Sequence, residues 1–82
     1  SAVDKKNLTT YSFEIFGDNM RVTSQQDFEQ VNATFFTIDG KKLESRKMES
    51  NTWFQKLAYE GVAIVHLYKS NGTPILSKII ML

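Results

Sequence analysis

His66 is the single histidine in a chain of 82 residues that contains no cysteine. A zinc-type site draws several ligands from His, Cys and carboxylates, and one histidine without thiolates does not assemble one. The missing cysteines also exclude disulfides and thiol nucleophiles. His66 falls in mid-strand, on the face opposite Val65 and Leu67, and reads as a structural or surface residue. Asp18, Asp39 and Glu60 each flank a turn, where a carboxylate caps backbone N–H groups. No two acids are placed as a glycosidase pair, which needs a cleft between them. No serine sits in a Gly-x-Ser-x-Gly elbow or beside a base. The chain is therefore expected to be no enzyme and to hold no cofactor or metal.

Two clusters have binding chemistry instead. Lys41, Lys42, Arg46 and Lys47 form a local basic group. It reads first as a solvated edge protected from self-association by lysine, and second as an anion patch for a phosphate-bearing glycolipid. Trp53, Phe54 and Tyr59 read first as core or half-core residues, and second as a carbohydrate platform. Over the whole chain, ten basic residues stand against nine acidic ones, for a net charge of +1. A dedicated nucleic-acid binder carries a strong basic excess, and none exists here. Hydrophobic residues make up 41% and charged residues 23%, an ordinary globular balance. No segment reaches the roughly 18–20 apolar residues that span a bilayer as a helix, and the polar opening Ser1–Lys6 is no signal peptide.

Period-2 alternation and turn chemistry dictate the elements that position these residues. The pattern predicts strands at Tyr11–Phe16, Met20–Thr23, Val31–Ile38, Lys41–Met48, Thr52–Leu57, Val62–Lys69 and Ile75–Leu82. Gly17-Asp18-Asn19 links the first two. Ser24–Gln30 is a polar loop with Phe28 plugged against the core. Val31, Ala33 and Phe35 share one face of the third strand, with Phe36 and Ile38 on the other. Asp39-Gly40 is a hairpin signal of the two-residue type I′ kind, and Ser70-Asn71-Gly72 is a second hairpin turn. Lys41–Met48 is mostly polar, so it belongs near an edge. Val62–Leu67 is nearly continuously apolar, as in a strand buried on both faces. The sum is an all-β antiparallel sandwich of about seven strands, with residues 11–82 as the domain and residues 1–10 as a linker or cleavage-region remnant.

Three segments, in this order, carry a resemblance: Thr37-Ile38-Asp39-Gly40-Lys41-Lys42-Leu43, then Gly61-Val62-Ala63-Ile64-Val65-His66-Leu67, then Lys78-Ile79-Ile80-Met81-Leu82. Together with the Tyr11–Val22 hairpin, they resemble the C-terminal sorting domain of the type IX secretion system of Bacteroidetes. The likeness covers about seven-eighths of the chain. It departs from the family pattern at Ala63, where tyrosine is usual, and at Leu82, where lysine or arginine is usual. The resemblance implies an immunoglobulin-like β-sandwich that acts as a folded secretion signal, as on gingipain-like cargo. It implies passage through the periplasm and delivery to the outer-membrane surface or beyond. The implied partners are translocon or shuttle proteins, a sortase-like peptidase, and anionic lipopolysaccharide attached to the parent. The implied recognition residues are Asp39, Gly40, Lys41, Gly61, Val62, Lys78, Ile79, Ile80, Met81 and Leu82.

A physical reason fits that role. A sandwich ending on an apolar strand offers an edge that a receptor pairs with through backbone hydrogen bonds. The same edge is expected to pair with a second copy of the chain. The competing reading is an accessory sandwich, carbohydrate-binding or spacer, of a secreted enzyme. An exposed aromatic platform at Trp53 and Tyr59 would favour it.

Overall fold

The computed structural model describes residues 10–26 and 28–82. The expected linker, but for its last residue, lies outside the described residues, as does Asp27 in the polar loop. Seven strands follow in order: β1 Tyr11–Phe16, β2 Asn19–Ser24, β3 Gln30–Thr37, β4 Lys42–Glu49, β5 Phe54–Gln55, β6 Val62–Lys69 and β7 Pro74–Met81. They form two antiparallel sheets, β1-β2-β5 and β4-β3-β6-β7. There is no helix among the described residues, so none of them lies in a helix able to cross a membrane. Three strands face four in the order A-B-E against G-F-C-C′ of an immunoglobulin-type sandwich. The expected all-β sandwich is the fold observed.

Alternation builds the core. Phe13, Met20 and Val22 from the first sheet meet Val31, Ala33, Phe35, Met48, Ala63, Val65, Leu67 and Ile80 from the second. Phe13 and Phe35 cross between the sheets edge to face, with centroids 6.1 Å apart, a favoured aromatic geometry. The buried face of β3 is the expected set of Val31, Ala33 and Phe35.

Where the chain passes between the sheets, a polar clamp holds it. Ser50 N–H donates to the Glu29 carbonyl at 2.8 Å, and Asn51 N–H to the Val22 carbonyl at 2.6 Å. The Asn51 amide also bonds both backbone groups of Ser24, each at 3.1 Å. It thus imitates one more rung of sheet pairing beside β2.

Four expectations need correction. Phe28 is no plug: it has φ +64° and is 77% exposed, because a left-handed backbone there swings the ring away from the core. The Thr52–Leu57 strand shrinks to Phe54–Gln55. Asn51 at φ +63° turns the chain just before it, and only Asn19 and Met20 are left to pair with it. The Asp39-Gly40 turn is not type I′, which needs positive φ at both central residues. Only Gly40 has it, and Thr37 closes two bonds, accepting from Gly40 N–H and donating to the Lys41 carbonyl. That is a three-residue loop ending in a left-handed glycine, and Lys69–Thr73 repeats it around Gly72. Finally, β6 is interior to its sheet but not buried on both faces. Ala63, Val65 and Leu67 are buried, whereas Val62, Ile64 and His66 are only half-covered.

Candidate functional site

Register places most of the expected recognition residues at one end of the four-stranded sheet. Thr37 pairs with Ala63, Ala63 with Ile80, and Val62 with Met81. The Asp39-Gly40-Lys41 turn, the Gly61-Val62 entry to β6 and the Ile80-Met81-Leu82 exit of β7 therefore converge. Gly61 and Leu82 fasten this end by exchanging both backbone bonds, at 3.1 and 2.9 Å. Gly61 has φ +129°, a conformation L side chains rarely adopt.

Within the turn, Thr37 Oγ1 donates to the Asp39 carboxylate and accepts from Lys41 N–H at 3.0 Å. These bonds hold the Asp39 carboxyl below its ordinary value, with the Thr37 hydroxyl first among the causes and backbone N–H groups next. A hydrogen bond to the charged form favours that form. The side chain rigidifies its own turn.

Ile80 and Leu82 point inward and are buried. Ile79 and Met81 point outward and are 69% and 66% exposed. Beside them on the same face lie Phe36, Val62 and Ile64, with Ile38 projecting from the turn at 68% exposed. Contiguous exposed apolar faces are the kind of surface through which proteins meet partners. Phe36, Ile38 and Ile64 were not among the expected recognition residues. Their signal was present as apolar residues on both faces of β3 and β6, but it reads equally as burial on both sides.

Lys78 does not join that face. It lies on the inward side of β7, and its ammonium crosses the open side of the sandwich to donate to the Phe13 carbonyl at 3.0 Å. The crevice it closes is about 230 Å³, lined by Phe13, Ile15 and Lys78–Met81.

The other clusters do not assemble as single sites. Arg46 leaves the basic group: it ion-pairs with Glu44 at 2.6 Å and donates to the Gln55 carbonyl. Lys41 and Lys42 are exposed at the turn, and Lys47 is exposed further along β4. Of the aromatic trio, Phe54 and Tyr59 pack against the core. Trp53 is 43% exposed, with the Arg21 guanidinium 4.3 Å from its ring centre and Phe16 tilted beside it at 6.3 Å. His66 Nδ1 bonds Ser77 Oγ at 2.5 Å across β6 and β7, with the Phe36 ring 5.3 Å away. Among the described residues, no group of three or more His, Asp or Glu could hold a metal ion.

No protein-family model, no curated protein and no solved structure matches the chain significantly.

Proposed function

We propose that this domain is a non-catalytic, folded sorting signal, read as the type IX secretion system reads the C-terminal domains of its cargo. It carries a parent protein through the periplasm to the outer-membrane surface. Translocon or shuttle proteins read it, a sortase-like peptidase processes it, and the parent becomes linked to anionic lipopolysaccharide. The observation that supports this reading most is the convergence of the Asp39 turn, Gly61-Val62 and the β7 exit at one end of one sheet. There they adjoin an open strand edge and an exposed apolar face. The segments that gave the resemblance are thereby neighbours in one sheet, with Val62, Ile79 and Met81 on its outer face and Ile80 and Leu82 turned to the core. Edge recognition uses backbone bonds for affinity and alternate side chains for selectivity, so cargoes of differing sequence can share it.

The test uses the parent protein in the cell that exports it. Met81→Glu and Ile79→Glu alter the outer face, where both side chains are mostly exposed, so the melting temperature should hold. Parent protein retained in the periplasm is the expected result. Normal surface delivery with either variant overturns the proposal.

Trp53 with Phe16 supports the accessory, carbohydrate-binding reading, because both rings are accessible. Quenching of Trp53 fluorescence by a soluble polysaccharide, with surface delivery unaffected by the β7 variants, would favour it over sorting.

A further inference from the structure

β7 is the outer strand of its sheet, and among the described residues no strand pairs with its free edge. The direction of each backbone group on it follows from the register. Gly61 and Leu82 exchange both bonds, and in an antiparallel pair such rungs alternate with unbonded ones. Ile80 and Lys78 therefore turn their N–H and C=O toward β6. Ser77, Ile79 and Met81 turn theirs to the open edge, and their side chains share the outer face.

Edge strands usually resist pairing through charge, proline or an inward lysine. On β7 these devices leave the outward rungs at Ser77, Ile79 and Met81 uncovered. Pro74 stands at the strand start. Lys78 is drawn across the crevice to the Phe13 carbonyl, where it caps β1 and leaves the β7 backbone uncovered. The outward side chains at the free ladder are Ser77, Ile79 and Met81, with no charge among them.

We propose that the occupant of this edge is a second copy of the same chain, paired β7 to β7 about a two-fold axis at Ile79. Only an extended backbone satisfies alternating donors and acceptors, and the β7 pattern complements itself. With Ile79 opposite Ile79, Ser77 faces Met81 of the other copy and Met81 faces Ser77. Every outward rung of both strands is engaged, and the outer faces join in one apolar stripe. Shifting the axis to Lys78 sets two like charges directly opposite, which is destabilising. It also brings Met81 against Ile75, where the β6–β7 register is broken. Shifting the axis to Ile80 leaves Ser77 beyond the partner strand. The side-chain period forbids intermediate choices that keep the apolar face continuous. The interface is isologous and closes on itself. It occupies the edge assigned above to the sorting receptor, so receptor and second copy compete for it, yet the pairing stands without the sorting role.

Sedimentation equilibrium on the full 82-residue chain tests this. The expected mass rises from 9.4 kDa toward twice that value, with half-dimerisation at about 0.1–1 mM, as suits an interface smaller than the standard class. Ile79→Lys places like charges on the axis and should weaken dimerisation by about tenfold or more. Ile79→Pro removes an N–H that the β6 ladder does not use, so it should fold and remain monomeric. Ile79→Cys, in a chain without other cysteines, should cross-link to itself under mild oxidation, whereas Ser77→Cys alone should not. A native chain that stays monomeric throughout overturns the proposal. So does a dimer that persists in Ile79→Lys, or cross-linking of Ser77→Cys equal to that of Ile79→Cys. If Ile79→Pro unfolds, the lysine and cysteine variants still decide. A fully monomeric native chain whose β7 variants block delivery would separate this failure from that of the sorting reading.

Discussion

The two open sides of the sandwich are bridged by the same device, set in different company. On one side Lys78 of β7 donates to the Phe13 carbonyl of β1. On the other, Arg46 of β4 donates to the Gln55 carbonyl of β5. A long cation on an edge strand of the larger sheet thus satisfies a backbone acceptor on an edge strand of the smaller one. Around Arg46 the edge is polar: Glu44 pairs with it, and Lys42 and Lys47 flank it along β4. Around Lys78 the edge is apolar, with Ile79 and Met81 exposed. Closing the side of a sandwich and protecting its edge are therefore separable tasks. β4 does both, whereas β7 does only the first and leaves its outer backbone edge open.

The strongest way to break this comparison is to ask whether the β7 side is as well packed beneath its edge as the β4 side. Met48 lies under β4 and Ile80 under β7, at 1% and 7% exposure. Truncation of either to alanine should cost about 2–5 kcal/mol, from lost transfer energy and the cavity left behind. Met48→Ala should be the costlier, because its site is the more enclosed. Urea unfolding measures both. A cost well under 1 kcal/mol for Ile80→Ala would mean that β7 is loosely attached and its open edge is mere fraying.

Gly61→Val probes the fastening at the β7 exit. The nearest atoms to an added Cβ would be those of the Tyr59 side chain, at 3.5 Å or more, so space is not the obstacle. The obstacle is the backbone φ of +129°, and forcing valine into that region should cost about 1–3 kcal/mol. The same substitution should loosen the Gly61–Leu82 bonds, and hydrogen exchange at the Leu82 amide would then quicken more than at amides of β4. An unchanged melting temperature would show that this end of β7 is not fastened through Gly61.

How much of this was legible in the sequence depended on how local each determinant is. Alternation located the inward face of β3 and the polar edge strand β4, because both follow from residues within one strand. The hairpins around Gly40 and Gly72 were legible in place, but the turn at Asp39-Gly40 is not of the type expected. Asp39 tolerates positive φ yet does not adopt it, since Thr37 holds its carboxylate from the other side of the turn. Phe28 misled because an aromatic in a polar loop looks like a plug, and its left-handed backbone is not written in its residue type. The division into three and four strands rests on contacts far apart in sequence, such as Ser50 to Glu29 and Asn51 to Ser24, which no local pattern announces. The outward apolar face was half visible. Its β7 residues were picked out, but Phe36, Ile38 and Ile64 were not, because outward apolar residues on an interior strand look identical to buried ones.

Exchanging the bridging cations sharpens the comparison at smaller scale. Arg46→Met should cost about 1–2 kcal/mol, since it removes a carbonyl bond and leaves Glu44 without its ion pair. Lys78→Met should cost about 0.5–1 kcal/mol, because a single part-buried bond is lost, no ion pair is broken and the apolar stem is kept. Thermal unfolding of the two variants should rank them in that order. The reverse order would place the weight of closure on the β7 side and undo the contrast drawn between the edges.

The smallest expected effect is a pH dependence at the two ends of this molecule. At the start of β1, Tyr11 donates to Glu29 Oε2 at 2.6 Å. Burial, then this bond and the nearby negative charge, push its hydroxyl from an ordinary 10.0 up to about 12. A raised value means that the neutral phenol is favoured by folding. Its contribution is complete below about pH 10 and is lost as pH climbs through about 12. Asp39 runs the other way: its value lies below the ordinary 3.8, so its contribution is complete above that value and is lost as pH falls through the lower folded one. Tyr11 lies on the strand that Lys78 bridges, whereas Asp39 lies in the turn leading into β4. Melting curves across both limbs therefore load the two sides of the sandwich separately. Tyr11→Phe should flatten only the alkaline limb, and Asp39→Asn only the acid one. An alkaline limb unchanged by Tyr11→Phe would show that the Tyr11–Glu29 bond does not hold β1 in place, and the Lys78 bridge would then be the main polar tie between β1 and the facing sheet, beside the Phe13–Phe35 packing.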